Sequence, residues 1–331
     1  MAVRLELAAR KAVGRLIPKE TTVLVAVSGG GDSIALLHLL VRISAGYPLN
    51  LVIGHLDHGL RRGSATDHRF VRETSESLDL PVLSDRRPVE ELRRKSESPE
   101  EGARRVRREF LLEAMDQAGA LLIATGHTLD DQAETVLMRL LRGSGPTGLS
   151  GICESGPGPF VRPILGLLRR DLRAWLEERS IRYRQDPTNR DLRYDRNRLR
   201  LKVLPFLEEH GNPAAAAHLV QAAGLIRDDA VFLDETARRR YQTIRDRGTG
   251  ATVQLAAGKL AALPEVLARR VVVLALRDAG IPERRISGRL IQAVLELDRG
   301  GAGRRLHLAG GCRAVRSRAT LTLSTEQEAG N

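Results

Sequence analysis

An apolar run, Val23-Leu24-Val25-Ala26-Val27, leads straight into Ser28-Gly29-Gly30-Gly31-Asp32-Ser33 and then into the apolar stretch 34–41. That order predicts a buried strand, a tight glycine turn and the first turn of a helix. Unpaired backbone N–H groups at a helix start, with the helix dipole behind them, form an anion site. The glycines let the main chain approach a phosphate closely and take positive φ where the turn needs it. No Gly-Lys-Ser/Thr closes the loop, so it is not a Walker A motif. The further glycine of the dinucleotide fingerprint is also missing. Ser28, Gly29, Gly30, Gly31, Asp32 and Ser33 are therefore the candidate ligands of an anionic group.

Strand-like and helix-like segments alternate after this loop. Strands are expected at 49–56, 81–84 and 120–125, and helices at 64–78 and 98–118. Continuous apolar strands separated by helices predict an α/β fold, a doubly wound parallel sheet covered on both faces. In such sheets ligands bind at the carboxyl ends of the strands. The glycine loop, Asp57-His58 and Gly126-His127 all follow strand ends and should converge there. The stretch 142–159 is rich in glycine, serine and proline and reads as a long irregular loop. Helices are expected at 168–180 and 194–209, around a polar turn at 185–191. The alanine-rich helix 214–245 follows, then a smaller C-terminal α+β domain with helices at 264–279 and 282–297 and four short strands.

Lys and Arg total 53 against 41 Asp and Glu, a formal charge of +12 with a pI near 10.6. Such an excess favours a polyanionic partner, nucleic acid first. It is concentrated between residues 162 and 202, where 13 basic residues face 6 acidic ones. Aromatic residues make up only 3% of the chain, so arginine–phosphate contact is expected rather than base stacking. Cys153 and Cys312 stand far apart with no Cys-x-x-Cys, which excludes a zinc ribbon and a disulfide framework. No apolar stretch reaches the roughly 18 residues of a membrane span. A cytoplasmic location without membrane contact is the expectation.

The polar clusters carry the chemistry. Asp131 and Glu134 lie three apart on an expected helix, on one face, where they suit a magnesium ion or a cationic amine. Thr128 and Asp131 equally fit a capping box. Leu137, Met138 and Leu141 are expected in the core. Arg104 and Arg107 share a helix face and suit a bidentate phosphate clamp. Arg196 and Arg200, four apart, also face one way, toward either phosphates or a buried ion-pair partner such as Asp186 or Asp195.

Taken in order, Ser-Gly-Gly-x-Asp-Ser, His-Gly-Leu-Arg, Asp-Asp-Gln-Ala-Glu-Thr, Arg-Gly-Ser-Gly-x-x-Gly-Leu, Arg-Pro-x-Leu, Asp-Pro-Thr-Asn and Arg-Asn-x-x-Arg resemble the tRNA(Ile)-lysidine synthetases, members of the N-type ATP pyrophosphatase (PP-loop) superfamily. The resemblance spans about residues 24–205. Two departures stand out: Arg107-Arg108 replaces the usual Arg-Tyr, and Gly126 stands where a histidine is frequent.

The resemblance implies an adenine nucleotide α-hydrolase-like fold. Its expected domains are a catalytic domain at 1–212, a helical linker at 213–248, a small tRNA-binding domain at 249–325 and a tail at 326–331. It implies that ATP adenylates the oxygen on carbon 2 of the wobble cytidine in a tRNA(Ile) with a CAU anticodon. The ε-amine of free L-lysine then displaces AMP. ATP and Mg²⁺ are the implied cofactors, and a homodimer is a possible assembly. In this reading Asp32, His127, Asp131, Glu134, Arg104 and Arg107 are catalytic. Ser28, Gly29, Gly30, Gly31, Asp32, Ser33 and His58 bind ATP. Arg142, Arg196, Asn197 and Arg200 bind tRNA, and Asp32 with Asp131 holds the metal. The lysine proton goes to His127 or to Glu134, or desolvation weakens its hold. The 143–159 loop is either a glycine-hinged lid that excludes water, with Arg142 at its base, or a spacer. Two other classes remain: another PP-loop adenylating enzyme such as a tRNA thiolase, disfavoured by two cysteines, and a noncatalytic RNA-binding protein, disfavoured by the intact carboxylates.

Overall fold

The computed structural model describes residues 2–57, 64–94, 97–156, 158–185, 191–246, 252–308 and 312–325. His58 and the turn around Asp186 lie outside the described residues. The chain divides into two compact units, Met1–Leu225 and Ile226–Asn331.

The first unit opens with α1 (Ala2–Leu16), β1 (Thr21–Ala26), α2 (Gly31–Ser44), β2 (Leu49–Asp57), α3 (Ser64–Ser77) and β3 (Val82–Arg86). The short α4 (Val89–Leu92), α5 (Pro99–Gln117), β4 (Leu122–Thr125), α6 (Leu129–Leu141), α7 (Pro146–Leu149), β5 (Phe160–Val161) and α8 (Arg169–Glu178) follow. The sheet runs β3-β2-β1-β4-β5 and its pairs are parallel. The chain starts in the middle, builds to one edge, then returns to extend the other. The order therefore reverses between β1 and β4, and that switch point opens the ligand crevice.

Strand β1 shows why the sheet is buried on both sides. Val23 and Val25 point into a cluster with Ile34, Leu37, Leu172 and Trp175, while Leu24 and Ala26 point into one with Val106, Phe110 and Ile123. Alternate side chains of a strand face opposite ways, so an apolar run with no polar interruption needs cover on both faces.

Three expectations change in the first unit. The 142–159 stretch holds a helical turn, α7, and a bridge between Ser155 and Val161 beside β5. Pro146 starts that turn with a preset φ and no N–H to satisfy, and the composition alone concealed it. The expected helix 194–209 is broken into α9 (Asp195–Arg198), a π turn (Leu199–Val203) and α10 (Leu204–His210). Pro205 has no N–H for the carbonyl four residues back, and the chain widens there instead. Leu141, expected in the core, is 69% exposed at the end of α6, where the periodic face runs past its neighbours.

Helix α11 (Ala215–Ile244) runs through the division between the units. In the second unit β6 (Arg245–Asp246), β7 (Val253–Ala256), β8 (Arg305–Leu308), β9 (Cys312–Arg316) and β10 (Thr320–Thr325) form an antiparallel sheet in the order β6-β7-β10-β9-β8. It is joined by α12 (Ala257–Ala261), α13 (Glu265–Asp278) and α14 (Gly288–Arg299) around a core that includes Val271, Leu276, Val294 and Leu321. The helix expected from 282 begins at Gly288, because Ser287 caps it by accepting from the Leu290 N–H. Among the described residues no helix is long and apolar enough to cross a membrane.

Candidate active site

The glycine loop leaves β1 and enters α2 as expected. Gly29 has φ +86°, a left-handed conformation that side chains rarely adopt. Gly30 precedes α2 with no side chain capping the helix start. The turn is braced from within: Ser33 Oγ donates to Gly30 O at 2.9 Å and accepts from the Ser28 N–H at 3.2 Å. It is braced from outside by a segment the sequence did not single out. The Arg184 N–H donates to Gly29 O at 2.9 Å, and a β-carbon on Gly31 would lie 3.2 Å from the Tyr183 ring. From β4, Gly126 comes so close that a β-carbon would meet the Asp32 carbonyl oxygen at 3.0 Å. Glycine at 126 thus lets the β4 end press against the loop.

Helix α6 begins with the capping box read in the sequence. Asp131 Oδ2 accepts from the Thr128 N–H at 2.8 Å, and the Thr128 hydroxyl oxygen accepts from the Asp131 N–H at 3.4 Å. Capping and site chemistry are not alternatives here, because the other Asp131 oxygen faces arginines. Arg169 Nη2 donates to Asp131 Oδ1 at 2.9 Å, and Arg169 Nε donates to Asp32 Oδ2 at 2.9 Å. Arg196 Nη2 reaches the same Asp131 oxygen at 3.0 Å. Glu134, 1% exposed, accepts from Arg196 Nε at 2.7 Å and from Arg200 Nε at 2.6 Å. Arg169, Arg196 and Arg200 therefore neutralise Asp32, Asp131 and Glu134. The carboxylates come from α2 and α6, the arginines from α8, α9 and the π turn.

The electrostatics differ between the two aspartates. Burial raises the Asp32 carboxyl above its ordinary range, and Arg169 only partly offsets that. Burial also opposes ionisation of Asp131, but Arg169 and Arg196 more than compensate and hold it low. This geometry bears on the expected metal pair. The Arg169 guanidinium lies between Asp32 and Asp131, and both Asp131 oxygens are engaged, so the two aspartates do not fit a shared Mg²⁺ site.

Arg169 escaped the sequence reading, although a signal existed. An arginine at the first position of a helix opposes the helix dipole and needs a nearby carboxylate. Asp130 supplies the rest, its Oδ2 accepting from the Arg169 N–H at 2.8 Å. The adjacent aspartates of α6 thus hold one residue of α8 by main chain and by side chain.

His127 follows β4 as expected, with Nδ1 2.9 Å from Thr125 Oγ1. Burial, with Arg162 and Arg107 nearby, lowers its pKa to about 4 against a partial pull from Asp131, so the ring is neutral at pH 7. Arg107 and Arg104 lie on one face of α5, and burial next to Arg104 depresses the Arg107 guanidinium. Arg142 is exposed, with Nη2 3.8 Å from Asp195 Oδ2. Asn197 is buried and donates to Asp191 O at 2.8 Å, within its own turn.

The loop after α6 is clamped onto that helix. Gln132 Nε2 donates to Ile152 O at 2.9 Å, and Gln132 Oε1 accepts from the Ile152 N–H at 2.5 Å. Arg139 Nη1 donates to Gly148 O at 2.7 Å and to Gly151 O at 3.0 Å. A lid hinged over the whole 143–159 stretch, or a loose spacer, does not match these bonds. Gly151 has φ +69°, and a β-carbon would lie 2.6 Å from Gln132 Oε1. Gly151→Ala is expected to break the clamp and cost about 1–3 kcal/mol. Faster amide exchange at Ile152 with a lower midpoint in thermal unfolding checks this; an unchanged exchange rate contradicts it.

The PP-loop domain family matches residues 2–207. The chain is 42% identical over 316 residues to the tRNA(Ile)-lysidine synthase of Thermus thermophilus, covering 95% of this chain and 59% of that protein. It is 40% identical over 264 residues to that of Symbiobacterium thermophilum, covering 77% and 55%. With the Synechococcus protein of the same name it shares 37% identity over 270 residues, covering 80% and 78%. The chain spans somewhat more than half the length of the first two relatives. Among solved structures it is similar to the U34-tRNA thiolase NcsA from Methanococcus maripaludis with its [4Fe-4S] cluster. The TM-score is 0.57 at 17% identity over 68% of this chain and 79% of that one, a likeness of fold alone. The PP-loop match over most of the first unit, and the identity shared with relatives along nearly the whole chain, place this chain in the tRNA(Ile)-lysidine synthase family of PP-loop proteins.

Proposed function

We propose that the chain is an ATP-dependent ligase. It adenylates the oxygen on carbon 2 of the wobble cytidine in a tRNA(Ile) with a CAU anticodon, then joins free L-lysine to that carbon, releasing pyrophosphate and AMP. The observation that carries this reading is the junction of a phosphate-type glycine loop, Ser28–Ser33, with the Asp32–Arg169–Asp131–Glu134 network at one strand switch point. Carbon 2 of cytosine is a weak electrophile until its oxygen becomes a leaving group, and AMP provides one. The α2 N-terminus receives the pyrophosphate end of ATP. Arg104 and Arg107 stabilise charge that develops at the α-phosphate.

Asp32, held by Arg169 through one oxygen, is the residue that would hold Mg²⁺ arriving with ATP, whereas Asp131, with both oxygens engaged, would not. Binding of the lysine ammonium needs negative charge, so the amine competes with an arginine for Asp131 or Glu134. Arg196 and Arg200 then become free to meet tRNA phosphates when the lysine is seated, which reconciles their pairing here with tRNA contact.

His127 is a poor acceptor for the amine proton. Transfer from an ammonium near pKa 10.4 to an imidazole near 4 is uphill by about 9 kcal/mol. Both Glu134 oxygens are held by arginines. Glu134 opens to the amine only after an arginine is displaced, whereas desolvation of the amine needs no such exchange and is the route favoured here. The test incubates the protein with ATP, radiolabelled lysine and the tRNA(Ile) transcript and follows label in RNA. His127→Asn is expected to keep at least about a tenth of the transfer rate and an unchanged pH profile. Loss of label with the wild-type protein overturns the function. A changed pH profile in His127→Asn overturns the desolvation route.

A further inference from the structure

We propose that Arg108 and Arg162, set around Phe160, form a second oxyanion site for phosphate beside the crevice, apart from the glycine loop. Arg108 is exposed on α5 and stacks its guanidinium 4.7 Å from the centroid of the Phe160 ring. Phe160 is 7% exposed and fixed on β5, which makes a rigid platform. Arg162 lies two residues further on, with Nη1 donating to Cys153 O at 2.7 Å. Its Nε is buried without a hydrogen-bond partner.

Gly156 and Gly158 lie at the same place. A β-carbon on Gly158 would sit 3.7 Å from Arg108 Nη2, and one on Gly156 3.9 Å from Arg162 Nη1. Arg104 and Arg108 both bear on Arg162 electrostatically, and no carboxylate pairs with Arg104, Arg107, Arg108 or Arg162 among the described residues. This contrasts with Arg169, Arg196 and Arg200 nearby, each of which is matched to a carboxylate. Like charges held together without counter-charge favour a multivalent oxyanion, and a stacked arginine presents its fork in a fixed plane.

The chemistry is a phosphate oxyanion, and two sources can supply it: a phosphodiester of the RNA next to the modified base, or the pyrophosphate end of the nucleotide. Only the RNA arm rests on the function proposed above. Arg108→Tyr removes an exposed charge while keeping a planar group over Phe160, and Arg162→Lys keeps charge while removing the fork. Each variant is compared with wild type for binding of inorganic pyrophosphate and of an anticodon stem-loop RNA between about 50 and 200 mM salt.

The expected result is a loss of about fivefold in RNA affinity and a salt slope shallower by about one unit, with pyrophosphate binding unchanged. A weaker pyrophosphate affinity with an unchanged RNA slope assigns the site to the nucleotide. Both affinities unchanged in Arg108→Tyr and in a folded Arg162→Lys overturns the proposal. If the wild-type protein binds no RNA, the functional reading falls and the pyrophosphate arm alone judges the site.

Discussion

Arg169→Met is expected to destabilise the first unit by roughly 3–5 kcal/mol and to abolish ATP–pyrophosphate exchange. Arg169 is 7% exposed and contacts Asp32, Asp131 and Glu134 at once. Removing it leaves buried carboxylates close together with fewer counter-charges, the situation in which a lost ion-pair partner costs most. Arg169→Lys separates folding from catalysis. It restores one positive charge but cannot span the acids with a planar fork. A lysine variant with near-normal stability and at least about 100-fold slower exchange is the predicted outcome. Full exchange activity in that variant would show that the bridge between Asp32 and Asp131 serves the fold alone.

The two aspartates should respond to neutralisation with opposite signs. Asp32 has its carboxyl raised in the folded chain, so ionising it opposes folding. Its favourable contribution is complete below the unfolded value of 3.8 and is lost as the pH rises through the folded value. Asp32→Asn is therefore expected to be as stable as wild type or more so at pH 7, while exchange falls by about 10²-fold or more and RNA affinity stays within about twofold. Asp131 is held low by Arg169 and Arg196, so its contribution is present above 3.8 and fades as the pH falls through its depressed folded value. Asp131→Asn should lose roughly 3 kcal/mol at pH 7. Thermal melts of both variants at pH 7 and pH 4, beside exchange assays, decide the matter. Equal destabilisation by both would contradict the assigned electrostatics.

The arginine pair on α9 and the π turn shows where sequence reasoning was incomplete. Spacing of four predicted that Arg196 and Arg200 face one way, and they do, toward a shared partner. The expected ion-pair candidates were Asp186 and Asp195, close in sequence. The partners found are Asp131 and Glu134, more than sixty residues earlier. Local spacing reports which side chains share a face, and says nothing about which helix that face meets. The Tyr183–Arg184 segment against the glycine loop was hidden for the same reason.

Several features were determined by local chemistry and were legible in the chain itself. The strand–glycine turn–helix unit follows from an apolar run, three glycines and a second apolar run. The parallel sheet follows from strands with no polar face, and the α6 start from Thr128 and Asp131 three apart. Each needs interactions only among near neighbours, or burial on both faces of one strand. The tertiary structure alone decided the charge balance of the site. Whether Asp131 faces a metal, an amine or a guanidinium depends on α8 and the π turn arriving from elsewhere in the chain. A buried charge takes its meaning from the counter-charge that packing delivers, and packing between distant segments leaves no periodic signature in a sequence.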